Sequence, residues 1–351
     1  VNRKHRIAAV GLGWVALHRH IPALLRHPDL ELVGVVDRHT GLAARIADHY
    51  HLPFSAEAES LSIVPWLADE VDAITIGAPP MAHRTLACEA FALHKHVLTE
   101  KPFAMSVTEG EAMRQAAQEA GQTLSIVHNF QFSRAALKLK RDLAAGRLGP
   151  IARVAAVQLG NPRRRLPAWY ETLPLGLFYD ESPHFFYLLD SLAKGGLTLQ
   201  KAHGVADDGK NTPRLAHILY RDTNGTPFTI DCDFTSTLSE WHVRVTGDKA
   251  TAILDIFRDI YILLPNDGAH GATDILRTSL YAITQHLAQH IPNGLSLLRG
   301  RLDYGNNEII HRFATALASG QNDPLIGADK ALAVLKLQHE ATQAIQESLL
   351  P

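Results

Sequence analysis

The chain has 351 residues, 46% hydrophobic and 20% charged, which is enough for two globular domains and too apolar for a disordered chain. Its formal net charge of −2 argues against nucleic acid or an anionic membrane as the main partner. Cys88 and Cys232 cannot build a four-ligand zinc site alone, and the 20 histidines show no metal-binding spacing. No leader-like start or long apolar span stands out, so the expectation is a cytoplasmic protein with reduced thiols.

Residues 6–10 read as an apolar strand that runs straight into Gly11-Leu12-Gly13-Trp14-Val15-Ala16, with a helical pattern over 15–26. Gly-x-Gly-x-x-Ala between a strand and a helix is a dinucleotide-binding turn. The first glycine permits the tight turn and the second lets a pyrophosphate approach the backbone. The small third residue lets helix and strand pack closely. The helix opening supplies unpaired N–H groups and the positive end of its dipole. A second strand over 30–36 ends in Asp37, about twenty residues on, where a carboxylate can accept from the adenosine ribose hydroxyls. That carboxylate repels a 2′-phosphate, whereas Arg38 could bind one or stack on adenine. NAD is the expected cofactor, with NADP as the alternative.

Strand and helix signals keep alternating. A helix over 41–50 halts near Pro53, and a strand over 71–76 is closed by Gly77-Ala78-Pro79-Pro80. A helix over 81–93 precedes a strand over 96–99 that ends in Glu100-Lys101-Pro102. Ser106 and Glu109 form a capping box for a helix through Ala120 that Gly121 stops, and 123–127 is another strand. This alternation predicts an α/β Rossmann domain, a doubly wound parallel sheet, over residues 1–128.

From Asn129 onward strands follow one another instead, at 152–159, 201–205, 215–220, 228–234, 242–246 and 252–256. That predicts an α+β substrate-binding and oligomerisation domain over 129–351, with a largely antiparallel open sheet and helices on one face. The other face is expected to pair with a symmetry mate, giving a homodimer or homotetramer. Residues 275–302 read as two amphipathic helices interrupted by Pro292-Asn293-Gly294, at a pocket rim or an oligomer contact, and 328–348 is helical.

Several motifs converge. Besides the glycine turn there are Ala78-Pro79-Pro80-Met81-Ala82-His83, Glu100-Lys101-Pro102, Asp180-Glu181-Ser182-Pro183-His184, and Tyr304, Glu308, Phe313, Ala316 and Gly320 near the end. Together they resemble the Gfo/Idh/MocA oxidoreductases, such as glucose–fructose oxidoreductase and inositol dehydrogenase, over nearly the whole chain. The resemblance implies that Gly11, Gly13 and Asp37 hold the dinucleotide, with Pro79 and His83 lining the same crevice. It sets Glu100 and Lys101 at that site, Lys101 beside nicotinamide and substrate, and makes Asp180 and His184 the catalytic pair. Asn129, with Phe132, matches the segment where the chain crosses between domains.

The residue chemistry fits those roles. Hydride transfer at a carbinol carbon needs a proton to leave or reach the oxygen; a histidine titrates in range and a lysine can stabilise alkoxide. Pro183 at a helix start puts His184 in the first turn, where the dipole disfavours imidazolium, while Asp180 opposes that effect. The motif departs from the family's Asp-x-Gly-x-His-x-x-Asp at Ser182 and Tyr187, and Gln131 stands where Arg is frequent. These changes fall on the substrate side. The expected activity is NAD(P)-dependent hydride transfer on a secondary alcohol or ketone of a sugar, cyclitol or related polyol derivative. A non-catalytic dinucleotide-binding regulator and an NAD-dependent glycosidase are the rival readings.

Overall fold

The computed structural model describes residues 3–207 and 209–349. It begins with β1 (His5–Val10), a wide helical turn (Ala16–His20) leading into α1 (Ile21–Arg26), β2 (Leu30–Asp37) and α2 (Leu42–Tyr50). Next come β3 (Phe54–Glu57), α3 (Trp66–Glu70), β4 (Ala73–Ile76), α4 (His83–Ala92), β5 (His96–Thr99), α5 (Val107–Ala120) and β6 (Leu124–Ile126). The middle holds α6 (Arg134–Ala144), β7 (Ile151–Leu159), α7 (Leu177–Glu181), α8 (Pro183–Asp190), β8 (Leu197–Val205), β9 (Leu215–Asp222) and β10 (Pro227–Asp233). The chain closes with β11 (Glu240–Gly247), β12 (Ala250–Asp255), β13 (Ile260–Pro265), α9 (Ala272–Leu298), α10 (Asn306–Ser319) and α11 (Ala328–Ser348). Two compact units result: Val1–Asn129 with Asn306–Lys336, and Phe130–Gly305 with Leu337–Pro351.

The first unit is a six-stranded sheet in the order β3-β2-β1-β4-β5-β6, parallel throughout. Every residue of β4 and the last four of β1 are buried, as strands covered on both faces must be. Strand order reverses between β1 and β4, which opens a crevice at their carboxyl ends. The wide turn before α1 has a local cause. Pro22 has no N–H to give the ordinary helical bond, and the Ile21 N–H reaches back to the Ala16 carbonyl. Ser106 accepts from the Glu109 N–H as the capping box requires, but the Glu109 carboxylate takes the Met105 N–H instead of that of Ser106.

The sequence places residues 306–336 in the second domain, whereas the structure returns them to the first unit. Ala328, Ala331, Leu332 and Leu335 complete the core around Phe103 and Met113. Gly110 on α5 makes room for them, since a Cβ there would lie 2.8 Å from Leu335 Cδ2.

The second unit is a seven-stranded sheet in the order β13-β12-β11-β7-β10-β9-β8. It is antiparallel except where β7 runs parallel to β10. One face is apolar, with Val154, Ala156, Ile218, Phe228, Ile230 and Val243 all buried. The opposite face is mixed, not the apolar surface expected. Arg153 and Arg244 are exposed, and His217 is hydrogen-bonded to Asp231. The other difference is α9. Two helices are read from the sequence, but one runs unbroken through Pro292. Its register is held from outside the helix: Gln285, Gln289 and Asn293 form one stripe, each bonding backbone of the strand or turn beneath.

His128, at the end of the first unit's sheet, is buried and stays neutral. Burial, helped by the charge of Lys330, lowers its pKa to about 3. The unfolded chain binds a proton near pH 6.5 and the folded chain does not, so stability is full above pH 6.5 and falls as the pH drops toward 3. Between pH 7 and 5 this group alone should cost about 2 kcal/mol. Urea titrations at the two pH values should show the loss, and His128→Gln should flatten it.

Candidate active site

At the carboxyl end of β1 the chain turns through Gly11, whose φ is +77°. A Cβ on Gly11 would sit 2.6 Å from the Ala78 nitrogen, so glycine is required by the fold itself. Gly13 differs. A Cβ there would meet only the Gly77 carbonyl oxygen, at 3.7 Å, so the protein alone leaves that space open. The helix begins at Trp14, where the first N–H groups have no partner within the helix. An open volume beside such an end fits a pyrophosphate. Ala16, the third small residue, is buried.

Asp37, the last residue of β2, is buried and ties this turn down. Its carboxylate accepts the Leu12 N–H at 2.6 Å, the His39 N–H at 2.8 Å and a bond with His39 Nδ1 at 2.7 Å. A carboxylate has about four acceptor positions, so these partners do not exhaust it for a ribose hydroxyl. Arg38 beside it is exposed.

Two residues expected to line the cofactor crevice are buried and bonded within the protein. His83 is completely buried, with Nδ1 2.9 Å from the Pro102 carbonyl and Nε2 2.9 Å from that of Ala78. The ring lies between the loop after β4 and the loop after β5, and in its neutral form it donates to one of these carbonyls. Burial lowers its pKa despite these carbonyls. Glu100 is buried too, and it pairs with His20 Nε2 at 2.9 Å while accepting the Lys101 N–H at 3.1 Å. Burial opposes its charge, but the His20 hydrogen bond and the charges of His20 and Lys101 hold its carboxyl below the usual range. Sequence reasoning missed His20; only the fold brings the helix after the glycine turn against the end of β5. Pro79 opens the short turn before α4 in extended conformation. Lys101 is half-buried in the loop after β5, and Asn129 is buried at the last residue of the unit's first segment.

In the second unit α7 and α8 are joined at Ser182, itself helical (φ −61°, ψ −28°). Asp180 and His184 are therefore four residues apart along nearly continuous helix, on one side of it. The start of α8 is consequently not a free helix end, and the dipole argument for a neutral His184 loses its force. What holds His184 is Tyr187: Nδ1 lies 2.8 Å from the tyrosine hydroxyl, which also accepts the Phe130 N–H at 2.9 Å. Phe130 and Trp241 pack on the imidazole, with ring centroids 4.6 and 5.4 Å away. The position where the sequence departs from the motif it resembles thus carries the histidine's partner. Nearby, Arg164 pairs with the buried carboxylate of Glu181 at 3.0 Å, and Gln158 donates to the same group.

A doubly wound sheet with space reserved beside a glycine turn, followed by a mostly antiparallel second sheet, is an architecture suited to holding a dinucleotide. Residues 5–128 match the GFO_IDH_MocA family model, described as oxidoreductase family, NAD-binding Rossmann fold. It is 34% identical over 125 residues to dTDP-3,4-didehydro-2,6-dideoxy-alpha-D-glucose 3-reductase of Streptomyces antibioticus, covering 36% of each chain. It is 30% identical over 146 residues to glucose-6-phosphate 3-dehydrogenase of Bacillus subtilis (strain 168), covering 42% of this chain and 40% of that one. The matches thus span well under half of these relatives. In fold, the chain is similar to the WlbA dehydrogenase from Bordetella pertussis, solved with NADH and UDP-GlcNAcA. The TM-score there is 0.78 at 18% identity, over 100% of this chain and 99% of that one.

Two substitutions test this geometry. Gly13→Ala should leave the melting temperature nearly unchanged yet weaken dinucleotide binding measured by fluorescence titration, because the methyl meets ligand and not protein. Tyr187→Phe leaves the part-buried Phe130 N–H without its acceptor, which should cost about 1 kcal/mol in chemical denaturation. It should also lower turnover, as the imidazole loses its orientation.

Proposed function

We propose that this protein is an NAD(P)-dependent oxidoreductase that moves a hydride between nicotinamide and C3 of a sugar derivative. The observation that carries the reading is the space at Gly13, which the fold does not need and a dinucleotide does. The position on the sugar is inferred from the names of the two relatives above, a 3-reductase and a 3-dehydrogenase. NAD is the expected partner, because Asp37 disfavours a 2′-phosphate.

The dinucleotide supplies a hydride acceptor or donor. The protein supplies the proton chemistry: in oxidation His184 takes the hydroxyl proton while Lys101 Nζ stabilises the developing alkoxide, and in reduction the proton returns by the same groups. Asp180 tunes His184, and Tyr187 fixes the plane of its ring. The His20–Glu100 pair anchors the backbone from which Lys101 projects.

Lys101→Ala and His184→Ala should each cut turnover on the order of a hundredfold to ten-thousandfold while leaving dinucleotide affinity nearly intact. Gly13→Val should abolish binding itself. The assay is NAD reduction against a panel of hexoses, hexose phosphates and nucleotide hexoses, with the position of oxidation read by NMR. A wild-type protein that binds dinucleotide yet turns over none of the panel would favour a regulator. Release of a free sugar without net NADH would identify a glycosidase.

A further inference from the structure

Helix α9 is built the wrong way round for a helix on a soluble protein. It attaches to its own unit through polar side chains. Gln285 bonds both the N–H and the carbonyl of Leu263 at 3.0 Å, and Gln289 does the same to Tyr261 at 3.1 and 2.7 Å. Asn293 Nδ2 bonds the carbonyls of Arg258 and Asp259 at 3.0 and 2.8 Å. Asn293 is the helix's one buried residue among those described. The three are spaced i, i+4, i+8, so they form a single stripe.

On the opposite side, Leu276, Leu280, Ile283, Leu287, Ile291 and Leu298 form a second stripe, each more than half exposed. Helical geometry puts that stripe diametrically across from the glutamines. No Asp, Glu, Lys or Arg occurs between Arg277 and Arg299. Isolated exposed leucines need no explanation, but a continuous apolar stripe along a helix about 40 Å long does.

We infer that this stripe is the contact surface for α9 of a second copy of this chain, packed antiparallel about a twofold axis through Leu287. The pattern is self-complementary. Centred on Leu287, antiparallel pairing sets Ile283 against Ile291 and Leu276 against Leu298. Leu280 then faces Gly294, where the absent side chain leaves room for it. A membrane-surface helix would carry its basic residues on the polar face, and here that face is Gln and Asn committed to the protein's own backbone. Two strips about 10 Å wide would together bury on the order of 800–1,000 Å², near the threshold for a specific interface. This contact is distinct from the mixed face of the seven-stranded sheet and does not depend on the proposed activity.

Light scattering on the full chain should show the particle mass halved by Leu280→Glu with Leu287→Glu, while dinucleotide binding is retained. Should that variant misfold, a single cysteine decides the matter. Leu287→Cys should cross-link to itself on mild oxidation, because it lies on the axis. A monomeric wild type overturns the inference, whether or not it floats with phosphatidylserine vesicles. So does a mass that the paired glutamates leave unaltered, or a Leu287→Cys chain that forms no cross-link.

Discussion

The first unit depends on how closely two backbone segments approach at the carboxyl ends of β1 and β4. Any side chain on Gly11 would collide with Ala78, and Gly77 is nearly as tight, since a Cβ there would be 3.0 Å from both Ala16 Cβ and the Gly11 oxygen. That approach pulls the helix opening against the crevice, and Asp37 fixes the turn through the Leu12 N–H. Because these contacts are already satisfied within the protein, the room left at Gly13 is preformed. A ligand entering it reorganises nothing, which is how a modest set of backbone donors can hold a charged group well.

Around this crevice, buried polar side chains act as struts. His83 lies between two loops and faces a carbonyl of each, and His20 with Glu100 anchors the loop that carries Lys101. Such groups are costly to bury unless paired, and once paired they specify one arrangement of the loops. The second unit treats His184 in the same way, using a neutral hydroxyl and aromatic faces in place of a carboxylate.

Local patterns made much of this legible. The glycine turn, the strand ending in Asp37 and the helix stopped by Gly121 all follow from spacing within a few residues. What stayed hidden needs a distant partner. His20 looks like any helical histidine until Glu100 arrives from eighty positions away. Nothing local says that both nitrogens of His83 face carbonyls. Residues 306–336 gave no sign of returning to the first unit, since their apolar positions suit any core. Pro292 reads as a break because the three amides that hold α9 in register bond to strand and turn backbone, which carries no sequence signal of its own. Tyr187 was visible as a departure, but its use as the partner of His184 was not.

The order of the seven-stranded sheet bears on how the chain comes to be folded. It consists of two three-strand meanders, β8-β9-β10 and β11-β12-β13, with β7 inserted between them. Each meander can assemble from neighbours in sequence, but β7 is synthesised before either and finds both of its neighbours some seventy or more residues later. Closing those long loops is what makes non-local sheets slow. During synthesis β7, with Val154 and Ala156 meant for the interior, therefore waits with both of its hydrogen-bonding sides unpaired. An unpaired apolar strand of this kind is what favours aggregation while a chain folds.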